Sequence, residues 1–389
     1  MNLPVQWSFF LRLLVLLSLL LLNAMTVFAQ EESFHFDSRP GQPAVVDGVV
    51  YIGAEAGSLH AVDMESGREL WSYQTDGAVF HAPIVHGDLV IFGSQDGGLR
   101  AVNKSDGSLK WTFQTGEVDW DIRDVFVNGK PTIVDGIAYI SSEDFNVYAV
   151  DAETGAEVWR HNLGEEPQAR EIPIVDGTAY IGAWDGHLHA LDIKTGERVW
   201  RSDTDDTDRA ALPDQVPFVT VVPIVTEEAV YYSGWAGNLF AVDRASGRQI
   251  WRFDSHAADS RHVGSRSYIA MHEDVIYYST LEDKHLYGVD RNTGQQVWSI
   301  ETEGIAYGPG LVGDGLAMYM EFIFGGETER PSANLRVLDL DSKKVLWSTT
   351  EAVTPPAVVD GVIYYGATDG TVHGRNVTSG EKVFRLGGL

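Results

Sequence analysis

The stretch Pro173–Ser202, PIVDGTAYIGAWDGHLHALDIKTGERVWRS, contains the whole structural unit that this chain repeats. It opens with a proline and a short apolar run, and alternating apolar residues follow between turns at Asp176-Gly177 and Asp185-Gly186. Asp-Gly between two alternating runs is typical of a β-hairpin, because both turn residues tolerate a positive φ. The stretch therefore predicts four short antiparallel strands, of which the fourth carries Trp200.

The same signature recurs along the chain: Asp or Asn, a glycine four residues later and an aromatic residue eight residues later. The copies read Asp63/Gly67/Trp71, Asn103/Gly107/Trp111, Asp151/Gly155/Trp159, Asp192/Gly196/Trp200, Asp243/Gly247/Trp251, Asp290/Gly294/Trp298, Asp339/Lys343/Trp347 and Asn376/Gly380/Phe384. One four-stranded unit cannot bury both of its faces alone, so its neighbours must cover them. Eight copies therefore predict an all-β fold, a single eight-bladed β-propeller with four antiparallel strands per blade.

The third strand of each unit carries a small residue at one fixed position. The series is Ala61, Ala101, Ala149, Ala190, Ala241, Gly288, Val337 and Gly374. A small residue is needed where a bulky side chain lies flat against a strand. We therefore expect the eight aromatic residues Trp71 to Phe384 to be structural, each docking between two blades on such a shelf.

The N-terminal residues have the pattern of an export signal. Arg12 precedes the unbroken apolar run Leu13–Leu22, and Val27-Phe28-Ala29 has the small residues of a signal-peptidase site. The sequence predicts a signal peptide over 1–29, an exported protein that is periplasmic or secreted, and one propeller domain over 30–389 without a transmembrane span. Ser33–Asp37 resembles an outer fourth strand, so that either it or Lys382–Leu386 is expected to close the ring.

Composition restricts the classes of partner and site. The chain of 389 residues has no cysteine, which excludes disulfides and thiolate metal sites. Its net charge of −28 opposes binding to nucleic acid. We expect the protein to be a monomer that binds a protein or peptide partner in the cell envelope.

The candidate binding residues lie where long connections collect. Connections from a fourth strand to the next first strand, and from second to third strands, emerge on one face of the disc, called here the looped face. Insertions on one face of a repeat protein are typical of a binding surface. The candidates at the channel mouth and in these connections are His81, Trp120, Asp121, Arg123, Lys130, Arg170, Glu171, Arg209, His262, Arg266 and Tyr307. Their cations would hold an anionic ligand or a partner's carboxylates, or they pair with local acidic residues and stiffen the loops.

Catalytic motifs such as the G-x-S-x-G elbow or the HExxH helix do not occur in the sequence. A weak candidate for a calcium loop is SDTDDTD, with Asp203, Asp205, Asp206 and Asp208, although a solvated acidic loop is the simpler interpretation. His187 and His189 share one face of a strand, and ordinary packing between blades is the simpler reading for this pair too.

The repeated A-V-D-x-x-x-G-x-x-x-W signature resembles the pyrroloquinoline-quinone (PQQ) enzyme repeat, over about residues 33–388. The resemblance implies an eight-bladed propeller and two functional branches. One branch, BamB-like, has no cofactor and acts as a protein-binding scaffold in the cell envelope, although this chain lacks the lipid-bearing cysteine of BamB itself. The other comprises quinoprotein oxidoreductases of alcohols or sugars, which use PQQ and calcium. We expect the first, non-enzymatic function without cofactor, and keep the second as the alternative.

Overall fold

The computed structural model describes residues 40–116, 127–167, 169, 171–203, 219, 222–234, 237–255, 269–279, 284–313, 315–323, 332–352, 354, 356–367, 369 and 371–386. Within these ranges the chain forms 32 strands and no helix. The strands make eight four-stranded antiparallel sheets, and each sheet consists of four consecutive strands in sequence order. No helix in the described part of the chain is long and apolar enough to span a membrane.

The strands of the first four blades are as follows. Blade 1 comprises β1 (Ala44–Val46), β2 (Val49–Gly53), β3 (Ser58–Asp63) and β4 (Glu69–Gln74); blade 2 comprises β5 (Ile84–His86), β6 (Leu89–Gly93), β7 (Gly98–Asn103) and β8 (Leu109–Gln114). Blade 3 comprises β9 (Val127–Val134), β10 (Ile137–Ser142), β11 (Asn146–Asp151) and β12 (Glu157–Asn162); blade 4 comprises β13 (Ile174–Val175), β14 (Thr178–Gly182), β15 (Leu188–Asp192) and β16 (Arg198–Arg201).

The second half of the ring repeats this order. Blade 5 comprises β17 (Ile224–Val225), β18 (Ala229–Ser233), β19 (Asn238–Asp243) and β20 (Gln249–Asp254); blade 6 comprises β21 (Ile269–His272), β22 (Val275–Ser279), β23 (His285–Asp290) and β24 (Gln296–Glu301). Blade 7 comprises β25 (Ile305–Gly313), β26 (Leu316–Ile323), β27 (Ser332–Asp339) and β28 (Lys344–Thr349); blade 8 comprises β29 (Ala357–Val359), β30 (Val362–Gly366), β31 (Val372–Asn376) and β32 (Lys382–Leu386).

The turns of blade 4 differ from one another in backbone geometry. Asp176 and Gly177 have φ angles of 48° and 76°, as expected for a two-residue hairpin turn. At the second turn only Gly186 is left-handed, with φ 79°. The expectation of a positive φ at Asp185 is therefore wrong. Its carboxylate instead accepts a hydrogen bond from the His187 amide at 3.0 Å, which closes the turn through the side chain.

Every outer strand contains a β-bulge one residue before its docking ring. In blade 1 Ala61 pairs with Trp71 and Val62 with Glu69, so that Leu70 is left out of the ladder. The corresponding omitted residues are Lys110, Val158, Val199, Ile250, Val297, Leu346 and Val383. The aliphatic members of this set are solvent-exposed. Because a bulge bends and twists an edge strand, it opposes pairing with another sheet, and the outer rim is therefore a poor template for strand addition.

The docking rings join consecutive blades, as the seam between blades 2 and 3 shows. Trp111 lies opposite Ala101 within its own blade. The other face of its ring covers Gly155 of blade 3, where a Cβ atom would come within 2.8 Å of the indole. Its Nε1–H donates to the Ala152 carbonyl at 3.0 Å. The alanine shelf thus belongs to the same blade and the glycine to the next, which differs from our expectation of one shelf between blades.

The same hydrogen bond recurs at five other seams. The donors are Trp71, Trp159, Trp200, Trp251 and Trp347, and the acceptors are the carbonyls of Lys104, Ile193, Arg244, Arg291 and Val377. Each acceptor directly follows the Asp or Asn of the next blade's signature. Packing and a backbone hydrogen bond therefore act together in aligning one blade on the next.

The seam between blades 6 and 7 departs from this pattern. Lys343 replaces the glycine, has φ 59°, and places its ammonium 4.9 Å from the centre of the Trp298 ring. The ammonium also donates to the Leu340 carbonyl, the acceptor that Trp298 would otherwise use. The buried Trp298 Nε1 has no hydrogen-bond partner. A Cβ atom on Gly288 would lie 2.2 Å from this ring, so the indole has moved into space that alanine fills in other blades.

The ring closes between blades 8 and 1 through side-chain packing. Val372 and Leu386 of blade 8 form one apolar cluster with Val50, Ile52 and Val62 of blade 1. Seven further clusters occupy the other seams, one for each pair of consecutive blades. β32 is the outermost strand of blade 8, whereas Ser33–Asp37, the other candidate for ring closure, lies outside the described residues.

Candidate functional site

The channel mouth is built where the chain passes from an outer strand to the innermost strand of the next blade. The Gly41 amide donates to the Gly53 carbonyl at 2.8 Å, and the Gln42 amide donates to Phe80 of blade 2 at 2.8 Å. Gly53 ends β2, so this mouth lies on the side of the β2–β3 turns. Strand direction alternates within a blade, so the turns between third and fourth strands lie on the opposite face. These turns contain the glycines that the docking rings cover, such as Gly107 and Gly155. The mouth therefore opens on the looped face.

A proline directly precedes the innermost strand in five blades, at Pro43, Pro83, Pro173, Pro223 and Pro356, and Pro131 lies within the innermost strand β9. An innermost strand has one unpaired edge, which faces the channel, so a missing N–H is tolerated there. The fixed φ of proline also directs the chain into the strand.

A cavity of about 770 Å³ occupies the mouth. It is lined by residues from six blades, namely Pro40, Gly41, Gln42, Pro43, Ala44, Val45, Phe80, His81, Ala82, Pro83, Lys130, Glu171, Val222, Thr354, Ala357 and Val359. The wall is mostly apolar, with a few polar groups from different blades. Concave, apolar sites with a small number of polar groups are the usual form of ligand-binding pockets.

Three of the residues singled out from the sequence meet in this cavity: His81, Lys130 and Glu171. The Lys130 ammonium donates to Glu171 Oε1 at 3.1 Å, and the two side chains are 34% and 45% exposed. Lys130 thus pairs with a local carboxylate, which is the second of the two roles considered for the cations.

The side chains of the other candidate residues are not described by the structure. Trp120, Asp121, Arg123, Arg170, Arg209, His262 and Arg266 lie outside the described residues. Tyr307 belongs to β25, where its backbone pairs with Met320, and its side chain is outside the described part.

Sequence reasoning missed several residues of the cavity wall, among them Gln42, Phe80, Val222 and Thr354. The prolines that precede innermost strands would have located most of them. Gln42 and Val222 directly precede such a proline, and Thr354 stands two residues before Pro356. The blades present equivalent positions to the channel, so counting back from the proline finds lining residues of any chemical type.

The rim of the mouth is stiffened by hydroxyl groups that follow the outer strands. Thr115 is buried and donates to the Gly97 carbonyl at 2.9 Å, which ties the exit of β8 to the β6–β7 turn. Thr354 accepts a hydrogen bond from the Gly366 amide at 2.8 Å. These bonds hold the connecting segments in place and pre-form the cavity.

A charged network ties blade 8 to the end of blade 7. Glu351 accepts from Arg375 at 3.0 Å, from Lys382 at 3.3 Å and from His373 at 3.1 Å. Burial alone would raise the pKa of Glu351, but these hydrogen bonds outweigh it and lower the pKa to about 2. Burial lowers the pKa of His373, against the opposing effect of Asp369 and Glu351. The network is structural, and its carboxylate stays ionised well into acid.

The two histidines of blade 4 serve packing rather than ligation. His189 is fully buried, and its Nε2 lies 3.1 Å from Asp185 Oδ2, which Arg201 also approaches at 3.5 Å. Burial lowers the pKa of His187, although Asp185 opposes this. Across the described ranges no three His, Asp or Glu side chains are grouped as a metal site requires. Asp203 accepts a hydrogen bond from the Gln249 amide at 2.8 Å, whereas Asp205, Asp206 and Asp208 lie outside the described residues.

PQQ and calcium would need a specific donor set in the mouth. PQQ carries three carboxylates, so several cations must face it, and calcium needs oxygen ligands from several groups. In the described wall Lys130 is the one permanent cation, and Glu171, the one carboxylate, already neutralises it. The described wall therefore does not fit this cofactor pair.

Comparison with known proteins agrees with the geometry. A family model described as outer membrane protein assembly factor BamB matches residues 29–119 and 113–300. Outer membrane protein assembly factor BamB of Escherichia coli (strain K12) is 26% identical over 355 residues, which cover 90% of this chain and 75% of that protein. Serine/threonine-protein kinase AfsK of Streptomyces coelicolor is 30% identical over 222 residues, 56% of this chain and 26% of that protein.

Solved structures show the same fold. BamB from Moraxella catarrhalis superposes with a TM-score of 0.66 at 18% identity, covering 88% of this chain and 96% of that one. Quinohemoprotein alcohol dehydrogenase ADHIIG from Pseudomonas putida HK5 gives a TM-score of 0.53 at 17% identity, with coverage of 91% and 67%. The family model spans more than half of the chain, and six of the eight seams share one tryptophan docking arrangement. The chain therefore belongs to the PQQ-like β-propeller family represented by the outer membrane protein assembly factor BamB.

Proposed function

We propose that the chain is an exported, non-enzymatic propeller that acts as a protein-binding scaffold in the cell envelope. One observation carries the proposal: a pre-formed, mostly apolar cavity opens on the looped face, where the long connections between blades collect. The Escherichia coli relative, an outer membrane protein assembly factor, supports an envelope role. The export signal expected over 1–29 agrees with it.

The looped face is a better docking surface than the outer rim. Each rim strand contains a bulge, which opposes strand addition. The mouth offers concave apolar surface instead, and a partner group that fills it removes apolar area from water at about 25 cal/mol per Å². Binding energy in protein interfaces concentrates in such desolvated pockets. The partner is therefore expected to place an anchoring group in the mouth.

Site-directed photocrosslinking tests the proposal. p-Benzoylphenylalanine replaces Phe80 in the mouth, and a control chain carries it at exposed Lys194, in a turn on the opposite face. In cells of the source organism we expect one discrete crosslinked protein from position 80 and none from position 194. Equal crosslinking from both positions, or none from position 80, would contradict binding through the looped face.

A further inference from the structure

The charge of the channel mouth differs from that of the whole molecule. The chain carries a net charge of −28, which by itself would favour a basic partner. Among the described lining residues, however, one lysine and one glutamate are the only permanently charged groups, and they form an ion pair with each other at 3.1 Å. The described wall of the cavity is therefore neutral although the protein is strongly acidic.

The rest of the described cavity wall is mostly apolar. Pro40, Pro43, Phe80 and Val222 present carbon atoms, and Gln42 adds an amide that both donates and accepts hydrogen bonds. A volume of about 770 Å³ falls in the range of about 300–1,000 Å³ that holds a drug-sized ligand. That space suits a few residues of an extended chain and excludes a folded domain.

We propose that the mouth takes a short, uncharged apolar peptide segment of the partner, and that the Lys130–Glu171 pair sets this preference. The inference rests on the proposed function and adds the chemistry of the segment that enters. Lys130 comes from blade 3 and Glu171 from the segment leading into blade 4, so the pair spans a seam at the cavity wall.

The physical reason is the cost of an uncompensated charge. A cationic or anionic side chain that enters the mouth loses water, and each wall charge is already satisfied by its own partner. An uncharged apolar segment loses little free energy on leaving water, because Gln42 can form a hydrogen bond with one of its backbone groups and the apolar walls cover its side chains. Removing one member of the pair leaves the other unpaired, and that variant should prefer a segment of opposite charge.

The experiment uses the full chain and three blocked tetrapeptides at pH 8. The probes are N-acetyl-Ala-Leu-Phe-Ala-amide and its analogues with Lys or Glu in place of Leu. Ligand-observed NMR gives the dissociation constants. We expect the neutral probe to bind at least about tenfold more tightly than either charged analogue, a difference of about 1.4 kcal/mol.

Variants assign this preference to the pair. Glu171→Gln should shift it towards the Glu probe and Lys130→Met towards the Lys probe, whereas the double variant should prefer the neutral probe again. Ala357→Trp, or Val222→Trp from another side of the cavity, should block all binding, while Ala156→Trp in an exposed turn on the opposite face serves as the matched control. Thermal melts confirm that each variant is folded.

Each outcome decides a specific point. If the wild-type chain ignores the neutral probe or prefers a charged one, the proposed segment chemistry is wrong, and a preference for Glu would instead indicate that the arginines of the long connections face the mouth. If the single variants keep the wild-type order, the pair does not set the preference. A chain that fails these tests but still crosslinks a partner from position 80 refutes this inference alone, and leaves the proposed function standing.

Discussion

The substitution Lys343→Gly should stabilise the propeller, because it restores the docking arrangement at the irregular seam between blades 6 and 7. In six seams a tryptophan Nε1–H donates to a carbonyl of the next blade. Between blades 6 and 7 the Lys343 ammonium uses that carbonyl, on Leu340, and the Trp298 N–H is buried without an acceptor. Glycine at position 343 frees the carbonyl and the space over the ring.

The expected gain follows from four contributions. Relief of the left-handed backbone at Lys343 contributes about 1 kcal/mol, and the greater freedom of glycine in the unfolded chain offsets about 0.4–1 kcal/mol of it. Giving a buried N–H its acceptor is worth about 1–3 kcal/mol. Loss of the ammonium–indole contact costs about 0.5–1 kcal/mol. The net expectation is about 1 kcal/mol in favour of the variant.

Urea denaturation of the purified chain measures this difference, and a double-mutant cycle with Gly288→Ala identifies its cause. In the wild-type background the new methyl group meets the Trp298 ring at 2.2 Å, so we expect a loss of about 1–3 kcal/mol. In the Lys343→Gly background the ring can return towards blade 7, and the loss should fall by at least about 1 kcal/mol. Gly294→Lys, which inserts a lysine over Trp251 at a regular seam, is the matched control and should destabilise. A destabilised Lys343→Gly variant together with zero coupling would refute this explanation of the seam.

Three further predictions concern docking, acid stability and cofactor. Trp111→Phe keeps the ring over Gly155 but loses the donor to Ala152, and should cost about 1 kcal/mol against about 3–5 kcal/mol for Trp111→Ala; equal losses in urea denaturation would show that the hydrogen bond and the packing do not contribute separately. Glu351→Gln should cost only about 1 kcal/mol at pH 7, because the carboxylate is 38% exposed. The lowered pKa of Glu351 means that its stabilisation is complete above its ordinary pKa and is lost as the pH falls towards 2, so the melting temperature of the variant should change less than that of the wild type over this range, and parallel curves would contradict the assignment. Added PQQ and calcium should leave the melting temperature and the visible spectrum of the chain unchanged; a bound-quinone absorbance with a raised melting temperature would favour the oxidoreductase alternative.

The strand order and blade number were predictable because they depend on local rules. Asp-Gly turns, alternating apolar residues and the spacing from Asp192 to Trp200 act over a few residues and repeat eight times. The position of the mouth was partly predictable for the same reason, since His81, Lys130 and Glu171 follow from counting back from each first strand. Their partners were not predictable, because an ion pair that joins blades 3 and 4 depends on how the two blades lie side by side.

The sequence by itself determined that eight similar four-stranded units exist, which residues dock them, and on which face the long connections collect, because each of these is a matter of periodicity along the chain. Only the tertiary structure decided that the indoles of blades 1 to 5 are each held between an alanine of their own blade and a glycine of the next, that Lys343 and Gly288 compensate for each other around Trp298, and that the charges in the described wall of the mouth cancel. These features arise where residues far apart in sequence come within a few ångströms, and no local pattern records which of them will meet.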